Sequence, residues 1–140
     1  MRALRYRAQY RATRELLGQM GGRTALLGAG SLDAFKLLGI FWGGNIMVAR
    51  GHDGATPFDL IKNVKCPVVG FFGNDDTNPS ADDVNKIDAE MTKQKVAHEF
   101  HRYDGAGHAF QNFTNERYRE RQAEDAWGKE LAFFKKNLQA

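Results

Sequence analysis

Two short loops hold the residue types that acid–base chemistry requires. The loop Asn74-Asp-Asp-Thr-Asn-Pro79 follows the apolar run Pro67 to Gly73 and contains Asp75 and Asp76; the loop Asp104-Gly-Ala-Gly-His-Ala-Phe110 follows the run Val96 to Tyr103 and contains His108. A carboxylate that accepts a hydrogen bond from one ring nitrogen of a histidine fixes its tautomer and stabilises the imidazolium. The other ring nitrogen then becomes a general base for a hydroxyl or thiol. Gly105 and Gly107 allow the backbone to turn sharply enough to present the ring. The same residues also read as a solvated strand-end turn and a turn histidine. Residue type and spacing leave both readings open.

For the pair to meet, the two loops must leave neighbouring parallel strands at the same end. Pro67-Val-Val-Gly-Phe-Phe-Gly73 is continuous, β-branched and aromatic, the profile of a strand covered on both faces. Ser80 with Asp83 three residues on predicts a capped helix start, and Val84, Ile87 and Met91 form its apolar face to about Lys93. Val96 to Tyr103 reads as a second strand. Asn115 to Leu138 reads as a long helix with Ala123, Trp127, Leu131, Phe134 and Leu138 inward. Strand, acidic loop, helix, strand, histidine loop, helix is a βαβα unit with a parallel sheet, and such sheets place functional residues at the carboxyl ends of their strands. Upstream, Thr24 to Gly30 predicts a short helix and Leu37 to Phe41 a buried strand ending at Trp42-Gly-Gly44. Residues 45–63 read as irregular, with a short helical stretch from Phe58 to Asn63.

Three stretches together resemble the dienelactone hydrolase (carboxymethylenebutenolidase) family of α/β-hydrolases: Val64 to Ser80, Phe100 to Phe110, and the Ala123-Glu-Asp-Ala-Trp127 helix. The family's Gly-x-x-Asp turn falls on Gly73-Asn-Asp-Asp76, and its Gly-His-x-Phe turn on Gly107-His108-Ala-Phe110. The resemblance therefore implies Asp76 as the catalytic acid, with Asp75 one residue early, and His108 as the catalytic histidine. Phe41-Trp-Gly-Gly44 is similar to the family's aromatic-Gly-Gly strand end, which makes Trp42, Phe110 and Asn112 the expected substrate-binding positions. An arginine four residues after the histidine helps the dienelactone-cleaving members bind the substrate carboxylate. Asn112 stands there, which implies a neutral or less acidic ester or lactone. The implied architecture is one domain over residues 1–140. It is a partial α/β-hydrolase fold, mainly a parallel sheet flanked by helices, with the family's N-terminal strands absent and an open sheet edge that calls for a partner.

The nucleophile departs from the family. Its pattern is Gly-x-Cys-x-Gly-Gly, a strained elbow between strand and helix. The corresponding stretch is Gly18-Gln-Met-Gly-Gly22; counting back from Gly21 puts Gln19 at the nucleophile, and counting forward from Gly18 requires a deletion before Met20. Neither glutamine nor methionine offers a proton whose removal yields a nucleophile. Cys66 precedes Pro67 at the far end of its strand, roughly 20 Å from the acidic loop. Ser80 is a helix cap, Ser31 lacks an elbow glycine two residues later, and Thr24 lies inside the helix. Family membership implies a hydrolase acting through an acyl-enzyme, with no competent nucleophile in this chain. The rival is a noncatalytic remnant with a structural or assembly role.

Other chemistries find little support. His98 and His101 lie three apart in a strand and face opposite sides, so no metal site is expected, and no dinucleotide or phosphate-loop fingerprint occurs; no cofactor is expected. Residues 1–23 carry six arginines against Glu15 alone, +5 of a net +3, so the remainder is −2. Leu4, Ala8, Ala12 and Leu16 recur every four residues there, which predicts an amphipathic surface helix with a solvated arginine face; a nucleic-acid partner is not expected. No apolar stretch reaches the roughly 20 residues of a membrane span. A single cysteine in 140 residues excludes an internal disulfide and fits a reducing, cytoplasmic setting. The expected partners are a small-molecule ester or lactone and a second copy of the chain, as a homo-oligomer, most simply a dimer.

Overall fold

The computed structural model describes residues 19–49 and 54–138, so the arginine-rich helix expected upstream lies outside the described residues. Among them run helix α1 (Gln19–Ser31), strand β1 (Leu38–Phe41), a 3-10 turn (Ile61–Asn63), strand β2 (Val68–Gly73), helix α2 (Ala81–Lys93), strand β3 (His98–Tyr103) and helix α3 (Glu120–Leu138). The three strands form one sheet in the order β1-β2-β3, and both pairings are parallel. The register sets Leu38 beside Val68 and Val68 beside His98, and it ends with Gly73 beside Tyr103.

Each face of the sheet has its own core. Alternation along β2 sends Val68 and Phe72 to one side, where Leu26 and Ala29 of α1 and Val84, Ile87 and Met91 of α2 pack on them. Val69 and Phe71 point to the other side, where Ala126 and Phe133 of α3 cover them together with Trp42, Tyr103 and Phe110. All six residues of β2 are buried, and enclosing a phenylalanine such as Phe71 or Phe72 contributes about 1.5–3 kcal/mol. α2 starts as its sequence predicts. Ser80 Oγ accepts from the Asp83 amide at 3.1 Å, and the Asp83 carboxylate accepts from the Ser80 amide at 3.1 Å, which completes the capping box.

α3 departs from expectation in start and in phase. Residues 115–119 form turns rather than helix, closed by the Arg119 amide donating to the Phe110 carbonyl at 2.9 Å, so the helix begins at Glu120. Its buried line is Ala123, Ala126, Glu130 and Phe133; of the expected stripe Ala123 is buried, Trp127 and Phe134 are half-buried, and Leu131 is 45% and Leu138 53% exposed. The two alanines explain the rotation, since small side chains let the helix axis approach β2 closely. Phe134 reaches Gly39 from the flank of the helix.

Candidate active site

The geometry starts from Gly73, the last residue of β2. A Cβ there would lie 2.1 Å from the Ala106 carbonyl oxygen, so only glycine lets the histidine loop's backbone rest on the end of this strand. The Asp75 amide donates to Ala106 O at 3.0 Å and the Asn74 amide to Tyr103 O at 2.9 Å, which extends the β2–β3 pairing into the two loops. The acidic turn is braced from behind by Arg102. Its Nε donates to Asn74 Oδ1 at 2.9 Å and its Nη1 to Asn85 Oδ1 at 2.8 Å, while Asn74 Nδ2 donates to Asp104 Oδ1 at 2.6 Å.

Within this frame His108 Nδ1 lies 2.8 Å from Asp76 Oδ2, with the Asp76 side chain 3% and the His108 side chain 17% exposed. The other Asp76 oxygen accepts from the Asn78 amide at 2.8 Å. A carboxylate only accepts, so Nδ1 carries the hydrogen and Nε2 presents its lone pair. Nε2 is buried and has no hydrogen-bond partner among the described residues. Asp75, the neighbouring acid, is exposed. Beside the pair opens a cleft of about 290 Å³, walled by Asp75, Thr77, Arg117 and Arg119 as well as Asp76 and His108. Arg119 is held by the Gly105, Glu116 and Tyr118 carbonyls.

β1 brings its own carboxyl end to the same place. Trp42 adopts a left-handed backbone, φ 44°, and its indole stands edge-on to the His108 ring with centroids 6.0 Å apart. The Asn45 amide donates to Asn78 Oδ1 at 2.8 Å and ties this end of β1 to the acidic loop. Gly22 of α1 packs on it so closely that a Cβ would sit 2.8 Å from the Gly43 Cα. α1, which starts at Gln19, thus has its first turns at the end of the sheet that carries Asp76 and His108.

The remaining candidates are dispersed. Phe110 is wholly buried and packs on Tyr103, beneath the site with no open face, and Asn112 spends its Oδ1 on the Thr114 amide and hydroxyl. Cys66 is 7% exposed just before β2, and burial raises its thiol pKa, so it is held as the unreactive thiol. Ser80 serves its helix cap, and Ser31 and Thr24 are exposed on α1. His98 engages Val96 O and Asp88, while His101 stacks on Phe71 across the sheet. Among the described residues no group of metal-binding side chains comes together. Two parts of the site escaped sequence reasoning: the Arg102–Asn74 brace and a hydrogen bond from Trp42 Nε1 to Gln111 Oε1 at 3.0 Å. The bond joins residues 69 apart, and no local pattern marks it.

A parallel sheet with an acid–histidine pair at its carboxyl end, and helices on both faces, defines the class of α/β-hydrolase folds. The profile of the dienelactone hydrolase family matches residues 18–138, and the chain belongs to that family. A Synechocystis protein that carries the carboxymethylenebutenolidase name is 32% identical over 120 residues, 84% of this chain and 48% of its own length. A Bradyrhizobium protein named for 2-oxo-3-(5-oxofuran-2-ylidene)propanoate lactonase is 31% identical and aligns with 97% of this chain and 57% of its own. Among solved structures, a Klebsiella pneumoniae protein titled for dienelactone hydrolase superposes with a TM-score of 0.73 at 27% identity, covering 81% of this chain and 48% of that one. A Mycobacterium tuberculosis puromycin-hydrolyzing peptidase shares the fold, with a TM-score of 0.71 at 20% identity over 86% of this chain and 21% of its own. The chain spans about half the length of the curated relatives it matches.

Proposed function

We propose that this chain carries the acid–base half of a site for hydrolysing small esters or lactones, with Asp76 as the orienting acid and His108 as the general base. The observation that carries the reading is the 2.8 Å contact between His108 Nδ1 and Asp76 Oδ2, which leaves the Nε2 lone pair to act as the base. In a full cycle Nε2 takes the proton of an attacking hydroxyl or thiol and returns it to the leaving alkoxide, while Asp76 stabilises the imidazolium. The elbow position is Gln19 or Met20, and neither supplies that proton, so the covalent route is interrupted in this chain. The rival reading, a noncatalytic remnant, draws on that same substitution.

Intact-protein mass spectrometry after treatment with a fluorophosphonate, and separately with iodoacetamide, tests the assignment. The unmodified chain is expected to form no adduct that depends on His108. A variant with cysteine inserted between Gln19 and Met20 is expected to alkylate faster than its His108→Ala counterpart. Equal labelling of those two variants would overturn the role given to His108.

The setting follows from the same reading. β1 forms one edge of the sheet among the described residues, and α3 exposes Leu131 and Leu138, which favours association through a second copy in a twofold dimer. Sedimentation at micromolar concentration checks this; a monomer would show that the edge is covered within one chain. Among the described residues no helix is long and apolar enough to cross a membrane. With its single buried thiol, the chain is assigned to the cytoplasm.

A further inference from the structure

We propose that the side-chain amide of Gln111 is the site's second ligand-binding group, a donor to a neutral oxygen of the molecule on which His108 acts. The inference rests on the hydrolase reading of the Asp76–His108 pair. An indole N–H can only donate, so the 3.0 Å contact from Trp42 Nε1 makes Oε1 the accepting end of the Gln111 amide and fixes its orientation. Nε2 is therefore the free end. Gln111 is 7% exposed, and this Nε2 has no hydrogen-bond partner among the described residues. A buried amide donor left unsatisfied is expensive to keep, and a ligand oxygen offers a way to recover that cost.

His108 Nε2 is in the same condition, buried and unpartnered. Trp42 connects the two residues, because the indole that bonds Gln111 also meets the His108 ring edge-on. The backbone on both sides of this contact is bent out of its easy range. Trp42 has φ 44°, and Ala109, between His108 and Gln111, has φ 63°. Left-handed backbone at residues other than glycine is costly and collects at functional sites. Here it accompanies an indole that touches both the imidazole and the amide.

The chemistry of the donor selects the ligand. A neutral NH₂ group compensates a carbonyl, lactone-ring or hydroxyl oxygen well. It does not offset the desolvation of a buried carboxylate. Asn112, four residues after His108, brings no cation and is tied to Thr114; the cations near His108, Arg117 and Arg119, line the cleft beside Asp75, which does not include Gln111, and Arg119 is engaged by three backbone carbonyls. The ligand oxygen at Gln111 is thus an uncharged one.

Nuclear magnetic resonance on the full chain tests the proposal with γ-butyrolactone as probe and its ring-opened hydroxy acid as the charged comparison. With the lactone, the Gln111 side-chain NH₂ signals and the His108 imidazole signals are expected to shift along one common binding curve. The hydroxy acid is expected to bind more weakly. Gln111→Glu, which keeps an acceptor for Trp42, and Gln111→Met, which carries no charge, are each expected to weaken lactone binding about five- to tenfold. The Trp42 indole signal reports that the fold is kept. A lactone response at His108 with none at Gln111, or unchanged affinity in both variants, would overturn the role of Gln111 and leave the hydrolase reading intact. A tighter response to the hydroxy acid would overturn the neutral-oxygen assignment, and no response at either residue would overturn both readings.

Discussion

The β2–β3 side of the molecule and the β1 side meet at the same end of the sheet but are equipped differently. On the β2–β3 side every connection is doubled. Strand pairing continues into loop pairing through Asn74 and Asp75, Arg102 braces the turn, and Asp76 meets His108 at 2.8 Å. On the β1 side the strand is four residues long and forms an edge among the described residues, and the helix at the proposed elbow position begins with glutamine and methionine. The difference teaches that an acid–base pair can be held by the pairing of two neighbouring strand ends and a side-chain brace across them. A nucleophile needs an elbow, a following helix and a second oxyanion donor from a distant loop.

The largest effect is expected from repairing the poorer side. The unmodified chain should hydrolyse p-nitrophenyl acetate at or near the rate of free imidazole. Insertion of cysteine between Gln19 and Met20 should produce a burst of acylation, abolished by His108→Ala, that exceeds the parent rate by about 10²-fold or more. Gln19→Cys is the competing repair and should give a smaller burst. Robust His108-dependent turnover by the parent would mean that its nucleophile lies elsewhere.

Next in size is damage to the richer side. Gly73→Ala forces a Cβ to within 2.1 Å of the Ala106 carbonyl and should destabilise the fold by about 2–4 kcal/mol in urea titration. An effect below about 0.5 kcal/mol would show that the two loops are not locked together at that point. Asp76→Ala removes the partner of a mostly buried histidine and the acceptor of the Asn78 amide, and should cost about 1–3 kcal/mol. A neutral result would separate the two loops energetically despite their contact.

The smallest effect concerns the helix that covers both sides. Asp125 accepts from Lys129 at 2.5 Å and from the Tyr103 hydroxyl at 2.9 Å, and these bonds lower its pKa below the ordinary value of 3.8. A carboxyl with a lowered folded pKa stabilises the protein above its unfolded pKa, and that contribution is lost as the pH falls through the folded value. Stability should therefore drop below about pH 4, by well under 1 kcal/mol because Asp125 is half exposed. Asp125→Asn should flatten that drop. An unchanged acid limb would assign it to other carboxylates. The Tyr103 hydroxyl is pushed in the opposite direction, upward, by burial and by the same carboxylate.

Local rules explain what was legible beforehand. β2 announces itself through an unbroken run from Val68 to Phe72, α2 through the reciprocal Ser80 and Asp83 cap, and the acid and histidine turns through Gly73 and Gly107. What escaped is set by contacts distant in sequence. The phase of α3 is decided by how closely Ala123 and Ala126 let it approach β2, although Trp127 and Leu131 give an equally good apolar period. Its late start is decided by the Arg119 amide reaching back to Phe110, and the Trp42–Gln111 bond by the packing of the whole sheet.

The contact of Gly22 with Gly43 acts as a mechanical stop for any rebuilding of the elbow. With no side chain on either residue, backbone meets backbone, and α1 has no slack to slide down along β1. A change of length between Gln19 and Met20 therefore has to keep Gly22 against Gly43 if the helix is to stay seated on this end of the sheet.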